Sequence, residues 1–371
     1  MPRSTPAPSR IALTAPVIAL GLLAGVAPAA AAPAEPPQAR QEAQVAPIVD
    51  VPWVIAHRGA SAYRPEHTLP AYELAVRQRA DVLEPDLVPT SDGHLIARHE
   101  NELSDSTDVA DRAEFADRRT TKTIDGRQVT GWFSEDFTLT EVKRLRAVER
   151  LPDIRPRSAR HDGKYEVATF EEVLDLRDDA ARRTGRDIMV MPEIKHGAYF
   201  DSIGLDAEAL LAEVLDERGL NHPDAPVAVQ SFEPDSVREL GERVEVTLIQ
   251  LIGSRQQHLT TPEALDEIAT YADAIGPDLR WVLPIGDDGL PGEPTPLVSD
   301  AHDRGLLVTP WTLRSENAFL PAGYRKGDDP SAHGDHRGYY IEVLRTGVDG
   351  VFTDNPDHLY KARMHFLKEQ R

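Results

Sequence analysis

Residues 53–88 read WVIAHRGASAYRPEHTLPAYELAVRQRADVLEPDLV, and they hold the first strand–helix–strand unit of the chain. The apolar run at 53–56 is typical of a buried strand. Residues 68–80 have a threonine N-cap, a proline in the first turn and apolar residues at helical spacing, which predicts a helix. Residues 81–88 are again typical of a strand. Because short, continuously apolar strands favour a parallel sheet covered on both faces, this unit indicates an α/β fold.

The same alternation continues to the end of the chain. Further strands are predicted at 187–194, 226–232, 246–252, 273–276, 306–311 and 350–352. Helices are predicted at 169–185, 205–219, 234–243, 262–271, 295–304, 337–346 and 356–368. Eight strands that alternate with helices predict a TIM-type (β/α)8 barrel. A doubly wound open sheet is the alternative, but no glycine-rich phosphate loop follows the first strand to support it.

One stretch, about residues 100–166, interrupts this alternation. It carries dense charge, few apolar runs and no strand–helix repeat. Residues 94–99, just before it, can pair with the second strand as the arm of a short hairpin. We therefore interpret 100–166 as a polar insertion on the top of the barrel, between the second strand and its helix.

The amino-terminal residues 1–32 are predicted to be a secretory signal peptide. Two arginines precede a short apolar stretch that ends near Val26, and small residues follow it. A transmembrane anchor is the alternative, but the stretch is short and contains a proline and a glycine. Residues 33–50, rich in Ala, Pro and Gln, are expected to form a flexible linker, so the barrel domain occupies 51–371. We expect an exported protein with no stable membrane anchor.

Composition excludes several functions. The 371 residues carry a formal net charge of −21, from 41 Lys+Arg against 62 Asp+Glu, and no cysteine. A nucleic-acid-binding protein needs a basic face for phosphates, so no nucleic-acid partner is expected. The absence of cysteine excludes a disulfide scaffold, zinc–thiolate sites and a thiol nucleophile.

Polar residues collect at the predicted carboxyl ends of the strands, where barrel enzymes build their active sites. Taken singly, each of them is more often a turn residue, a solvated charge, a surface ion pair or a core residue. Their succession at strand ends favours one common site. The residues are His57, Arg58, Glu84, Asp86, His99, Glu193, Lys195, Gln230 and Trp311.

The residue types in this set indicate a chemistry. Glu84, Asp86 and Glu193 are carboxylates among apolar neighbours, and burying such charges is costly without compensation. Hard oxygen ligands without cysteine suggest Ca²⁺ or Mg²⁺ rather than zinc. The histidines can exchange protons near neutral pH, and Arg58 offers a planar donor fork for phosphate oxygens. Together they point to metal-assisted hydrolysis or transfer at a phosphodiester.

Several short motifs carry a family resemblance. They are HRGAS at 57–61, RPEHT at 64–68, E-x-D-L at 84–87, T-x-D-G-x-L-x-x-x-H at 90–99, PEIK at 192–195, QSF at 230–232 and DGVFTDNP at 349–356. Their combination resembles the glycerophosphodiester phosphodiesterase family over about residues 53–360. The histidine of PEHT, where many members carry asparagine, resembles the secreted, periplasmic subgroup.

The resemblance implies a TIM barrel that hydrolyses small glycerophosphodiesters to glycerol 3-phosphate and an alcohol. It implies the following roles: His57 and His99 as the acid–base pair, Glu84, Asp86 and Glu193 as ligands of a divalent cation, usually Ca²⁺ in secreted members, and Arg58, Lys195, Gln230 and Trp311 as substrate contacts. Glu66 lies in a matching motif and is expected near the site. Glu100 departs from the family, which usually has Asp there, and this puts the orientation of His99 in question.

Other functions remain as alternatives at this point. A related barrel phospholipase, acting on phosphatidylinositol or sphingolipids, would share the histidine pair but needs an apolar rim for the membrane. A glycosidase could use Glu84 and Asp86, but would leave both histidines and Arg58 without a task. A non-enzymatic phosphodiester-binding protein would be expected to lack a catalytic residue, and none is missing. Polymers of the teichoic-acid type remain possible substrates.

Overall fold

The structure, a computed structural model, describes residues 49–370. The predicted signal peptide, and the predicted linker up to residue 48, lie outside the described residues. Among the residues described, no helix combines the length and the apolar character needed to cross a bilayer.

Eight parallel strands form the central sheet of the described chain. Their bounds are β1 Trp53–His57, β2 Val82–Glu84 continued as Asp86–Pro89, β3 Met189–Val190 continued as Glu193–Ile194, β4 Ala228–Ser231, β5 Thr247–Ile252, β6 Ala274–Pro277, β7 Leu307–Val308 and β8 Gly350–Thr353. Each of β1 to β6 pairs in parallel with the next strand, and β8 pairs with β1. The β2 and β3 ladders are interrupted at Pro85 and Pro192, which have no N–H to donate.

The sheet closes on itself between β7 and β8. The Asp349 amide donates to the Val308 carbonyl at 2.9 Å, and the Phe352 amide donates to the Pro310 carbonyl at 3.1 Å. An open, doubly wound sheet would leave these groups at an edge. The structure is therefore a closed barrel.

Eight helices cover the outside of the barrel. They are α1 Leu69–Arg77, α2 Phe170–Thr184, α3 Ala207–Glu217, α4 Pro234–Arg243, α5 Pro262–Ile268, α6 Leu297–His302, α7 His336–Arg345 and α8 Pro356–Glu369. The Thr68 side chain caps α1, and a capping box between Thr169 and Glu172 begins α2. The apolar faces of these helices pack on the outward side chains of the strands, such as Val54 and Leu83, to form the main core.

The barrel interior is layered in a way that places the polar residues. One buried apolar residue from each strand forms an inner cluster, namely Ile55, Val82, Met191, Ala228, Ile249, Ala274, Leu307 and Phe352. Two positions further along five of these strands come His57, Glu84, Glu193, Gln230 and Asp354. Because side chains two apart on a strand share a face, these polar groups lie directly above the apolar layer, at the carboxyl end.

Residues 100–166 lie between β2, with its hairpin arm Leu95–Ala97, and α2. The short elements of this region are 3-10 turns at Val109–Asp111, Ala113–Arg118 and Ser134–Asp136, a two-stranded hairpin of Thr120–Ile124 and Arg127–Gly131, and helices Leu139–Val142 and Pro156–Ala159. Elsewhere, a short α-helix lies at Gly197–Ser202, and 3-10 turns lie at Gln257–Thr260, Leu279–Trp281 and Ala322–Tyr324. The prediction of a TIM-type barrel with an insertion after the second strand is confirmed.

The insertion has a small apolar core of its own, although its composition is polar. Phe115, Trp132 and Phe137 are buried there and pack with Val88 of β2 and Ile96 of the hairpin arm. This core fixes the insertion on the barrel mouth, so the side chains it presents there are held in place by packing.

Candidate active site

His57 ends β1 and is buried at the barrel mouth. Its Nδ1 lies 2.6 Å from Asp354 Oδ1, and its Nε2 accepts a hydrogen bond from Arg58 Nε at 3.2 Å. An ionised carboxylate can only accept, so Nδ1 carries the proton and Nε2 keeps its lone pair. Burial and the charge of Arg58 lower the pKa of His57 to about 4, although Asp354 opposes them. His57 is therefore a neutral imidazole with a basic Nε2 at neutral pH.

Arg58 follows in a tight turn. It has a positive φ of 60°, and in the next residue, Gly59, an added Cβ would come within 2.8 Å of the Ala71 backbone, which explains the glycine. The Arg58 guanidinium donates to both Glu66 carboxylate oxygens, at 3.0 and 3.2 Å, and its Nε lies 3.2 Å from Asp86 Oδ2. The turn thus directs a buried cation back over the mouth of the barrel.

Glu84, Asp86 and Glu193 come together as predicted. All three are buried, and one carboxylate oxygen from each lies within 4.8 Å of the other two. Lys195 Nζ lies 2.8 Å from Glu193 Oε1 and 3.8 Å from Asp86 Oδ1. The structure therefore collects three like charges in a small buried volume beside one lysine.

Burial favours the protonated form of all three carboxyl groups. Burial and the neighbouring carboxylates raise the pKa of Glu84 well above its usual range, and burial raises the pKa of Glu193 to about 8. Burial acts in the same sense on Asp86, but Lys195 and Arg58 hold the pKa of Asp86 well below its usual range. Ionising three buried carboxylates together is costly without a compensating charge. The group is therefore a suitable environment for a cation.

The donor set fits a divalent cation that prefers oxygen ligands. Gln230 adds a fourth oxygen, because it pairs in register with Glu193 and both side chains lie on one face. Its Oε1 is buried and has no hydrogen-bond partner among the described residues. The three carboxylates fit the hard-cation site predicted from the sequence. Gln230 was predicted as a substrate contact, and its place beside Glu193 also makes it a candidate ligand.

His99 lies at the end of the hairpin arm, with its side chain 29 % exposed. Its Nδ1 is 2.8 Å from Glu100 Oε1, so the longer side chain of Glu100 still reaches the histidine. Glu100 also contacts His196 Nε2 at 3.1 Å. Burial and the charges of Arg58 and Lys195 lower the pKa of His99 to about 3. The charges of Arg58 and Lys195 thus act on His99.

Trp311 lies three residues after the end of β7 and is half-buried. Its Nε1 donates to the Gly276 carbonyl at 2.8 Å, and its ring meets Phe232 edge-on at a centroid distance of 5.5 Å. Lys195 Nζ lies 5.5 Å from the centroid of the Phe232 ring. Trp311 and Phe232 therefore form an aromatic wall next to the lysine.

Glu66 joins the barrel site to the insertion. Besides Arg58, it accepts hydrogen bonds from Arg150 Nη2 at 3.3 Å and Nε at 3.4 Å. Burial would raise the pKa of Glu66, but Arg58 and Arg150 hold it well below its usual range. The expected position of Glu66 near the site is thus explained by a bridge between two arginines.

The sequence did not single out four further residues of the site. Asp354 holds His57, Arg155 and Arg314 hold Asp354, and His67 Nε2 lies 2.9 Å from Asp86 Oδ2. Asp354 could have been found, because it lies two positions after the apolar Phe352 on the same strand face. Arg155 carries no local signal, since it comes from the insertion, 199 residues away from Asp354 in sequence.

A closed barrel whose carboxyl mouth carries histidines, buried carboxylates and arginines places the protein among the TIM-barrel enzymes. Residues 57–358 match the model of the glycerophosphoryl diester phosphodiesterase family. A glycerophosphodiester phosphodiesterase of Arabidopsis thaliana is 34 % identical over 325 residues, covering 82 % of this chain and 83 % of that protein. One of Bacillus subtilis is 30 % identical over 313 residues, covering 83 % and 85 %. The chain belongs to the glycerophosphodiester phosphodiesterase family, and the predicted enzyme class is confirmed.

Solved structures share the fold. A glycerophosphodiester phosphodiesterase of Thermotoga maritima aligns with a TM-score of 0.51 at 18 % identity, covering 84 % of this chain and 97 % of that one. A phosphodiesterase of Oleispira antarctica, solved in complex with the product sn-glycerol-3-phosphate, aligns with a TM-score of 0.54 at 20 % identity, covering 84 % and 96 %.

Proposed function

We propose that this enzyme hydrolyses glycerophosphodiesters to sn-glycerol 3-phosphate and an alcohol by proton transfer between His57, His99 and the substrate. The observation that carries the proposal is the state of His57. It is neutral, its Nδ1–H is held by Asp354, and its Nε2 lone pair accepts from Arg58 Nε, which itself lies 3.2 Å from Asp86 Oδ2. This is the arrangement of a general base.

The three carboxylates Glu84, Asp86 and Glu193, with the amide oxygen of Gln230, would hold the divalent cation. We propose Ca²⁺, with Mg²⁺ as the second candidate, because Ca²⁺ tolerates irregular sets of carboxylate and amide oxygens. When bound, such an ion neutralises non-bridging phosphate oxygens and so favours the more highly charged transition state.

The two histidines are proposed to have different tasks. His57 Nε2 removes a proton from the attacking group. If this group is water, glycerol 3-phosphate forms directly; if it is the glycerol 2-hydroxyl, a cyclic phosphate forms first and water then opens it to glycerol 3-phosphate. His99 donates a proton to the leaving alkoxide, which is a poor leaving group without an acid. His99 is partly exposed and can therefore take its proton from solvent. An anionic phosphodiester beside Arg58 and Lys195 would offset the two charges that lower the pKa of His99.

Arg58 and Lys195 supply fixed positive charge at the mouth for the phosphate, and the wall of Trp311 and Phe232 offers an apolar surface for the glycerol carbons. This local charge explains how a strongly acidic protein can accept an anionic substrate.

The insertion favours small, soluble diesters over bilayer lipids. Phe115, Trp132 and Phe137 are used in its own core, and none of the large apolar side chains found exposed in residues 49–370 belongs to 100–166. A phospholipase that works on a membrane needs an exposed apolar rim there. We further propose that residues 1–32 direct export, as in the secreted, periplasmic subgroup that the PEHT motif resembles.

A coupled assay for released glycerol 3-phosphate tests the proposal, using glycerophosphocholine, glycerophosphoethanolamine and glycerophosphoglycerol. His57→Ala and His99→Ala are each expected to lower turnover by about 10²–10⁴-fold, the usual contribution of a positioned acid or base. His258→Ala is the matched control, because His258 is exposed and outside the site. Near-normal turnover of both site variants would refute the mechanism, and no product from any diester would refute the function.

A further inference from the structure

We infer that Arg155, a residue of the insertion, is a positioning residue for the reaction and acts on His57 through Asp354. This inference rests on the proposed role of His57 as the base. It makes the insertion part of the catalytic apparatus.

The two oxygens of Asp354 have separate partners. Oδ1 lies 2.6 Å from His57 Nδ1, while Oδ2 accepts from Arg155 Nη2 at 2.5 Å and from Arg314 Nε at 2.8 Å. The side chains of Asp354 and Arg155 are only 2 % and 4 % exposed. The hydrogen bonds to Oδ2 thus hold the carboxylate in place and leave Oδ1 for His57.

Arg155 is itself held on three sides. Besides Asp354, its Nε donates to Glu316 Oε1 at 2.8 Å, and its Nη1 donates to the Ser61 carbonyl at 3.3 Å. Ser61 in turn donates through its Oγ to the His57 carbonyl at 2.9 Å. One guanidinium therefore ties the insertion to the loops that follow β1 and β7 and to the end of β8.

The two guanidinium groups also set the charge of Asp354. Burial by itself would raise the pKa of Asp354, but Arg314 and Arg155 hold it well below its usual range. An ionised Asp354 can only accept a hydrogen bond, and this keeps the proton of His57 on Nδ1 and the lone pair on Nε2. Arg314 is 24 % exposed and its guanidinium also lies 4.7 Å from the centroid of the Phe319 ring, so Arg155 is the more enclosed of the two partners.

The test must separate positioning from stability, because Arg155→Gln leaves Glu316 buried without its charge partner. The double variant Arg155→Gln, Glu316→Gln removes that unpaired charge while Asp354 still lacks Arg155. Arg157→Gln, which changes an exposed arginine in the short helix that follows Arg155, is the matched control. For each protein we would measure kcat, KM, Tm and the tautomer of His57 from ¹⁵N NMR shifts.

Arg155→Gln is expected to lower kcat by about 10–100-fold with KM changed less than threefold, by analogy with the loss of hydrogen-bond partners that orient metal ligands. The His57 ring should show a larger share of the Nε2–H tautomer. The double variant should regain Tm but not kcat, and Arg155→Lys should regain part of kcat.

The inference is overturned if kcat returns together with Tm in the double variant, or if the His57 tautomer is the same in all variants. Failure of the proposed function has a different signature, since the wild-type enzyme would then release no glycerol 3-phosphate. The tautomer measurement decides the inference in that case as well, because it needs no turnover.

Discussion

Among residues 49–370, two groups of three carboxylates are each close enough together to hold a metal ion, but their surroundings differ. In each group one oxygen per residue lies within 4.8 Å of the other two. The inner group consists of Glu84, Asp86 and Glu193, and the outer group consists of Asp201, Asp206 and Glu208. All members of the inner group are buried, whereas in the outer group only Glu208 is, and Asp201 is exposed.

The inner group faces two buried cations, Lys195 and Arg58, and one buried histidine, His67, whose pKa is lowered by burial. Lys195 and Arg58 both lie within 4 Å of Asp86, and His67 Nε2 lies 2.9 Å from it. These partners are buried too, so water does not screen the charges. Such a group can organise an ion and an anionic substrate.

The outer group uses its carboxylates for local structure. Asp206 caps α3 through the Ala209 amide at 2.8 Å and accepts from Arg243 at 2.7 Å, while Glu208 accepts from Ser236. The comparison teaches that spacing alone does not define a functional site. Burial and the chemical nature of the neighbours separate the two groups.

The largest expected effect is on turnover after removal of one inner carboxylate. Glu84→Gln, Asp86→Asn and Glu193→Gln should each lower the release of glycerol 3-phosphate by more than about 100-fold, since even outer contacts of metal ligands cost 10–100-fold. Asp201→Asn, which removes a charge of the outer group, should leave the rate within about twofold of the wild type. Equal losses from both groups would remove the distinction between them.

Removal of divalent ions should affect the enzyme through the inner group only. We expect EDTA to abolish activity and excess Ca²⁺ to restore it. Glu193→Gln should raise the Ca²⁺ concentration needed for half-maximal activity at least tenfold, whereas Asp201→Asn should leave that concentration unchanged. Full activity in EDTA would refute the cation site.

More of the fold than of the site could be predicted from the sequence. Apolar runs and helix caps located all eight strands and the helices that cover them, because these signals are local. The strand predicted at 306–311 is shorter in the structure, where β7 covers Leu307–Val308. Pro310 follows it and has no N–H for the ladder.

The site divides in the same way between local and distant signals. His57, Glu84 and Glu193 follow from the two-residue period of the strands, since each comes two positions after a buried apolar residue. Arg150 and Arg155 do not, because their positions depend on how the insertion docks. That docking is set by the apolar core around Phe115 and Trp132, whose members are scattered in the sequence without a repeat.

A smaller effect concerns pH. Protons and a cation compete for the inner carboxylates, and burial raises the pKa of Glu193 to about 8. The apparent affinity for Ca²⁺ should therefore rise with pH up to about 8, by up to tenfold per unit for each proton displaced, and then level off. Activity titrated with Ca²⁺ at pH 6, 7, 8 and 9 measures this rise. A half-saturating concentration that is constant over this range would contradict it, and Asp201→Asn should follow the wild-type curve.

The smallest effect on turnover, none at all, is expected for Glu208→Gln, which should change only stability. Burial raises the pKa of Glu208 to about 7, above its value in the unfolded chain, so the folded protein binds this proton more tightly. The free energy of unfolding should then fall as pH rises from about 4.5 to about 7, by no more than about 3 kcal/mol. In Glu208→Gln this contribution is absent, so the variant should gain stability relative to the wild type between pH 5 and pH 8, as measured by urea unfolding.

Glu213→Gln, an exposed position on the same helix, is the control and should keep the wild-type slope. If Glu208→Gln also kept that slope, the buried carboxylate would be ionised without cost, and burial would no longer distinguish Glu208 from the exposed acids around it.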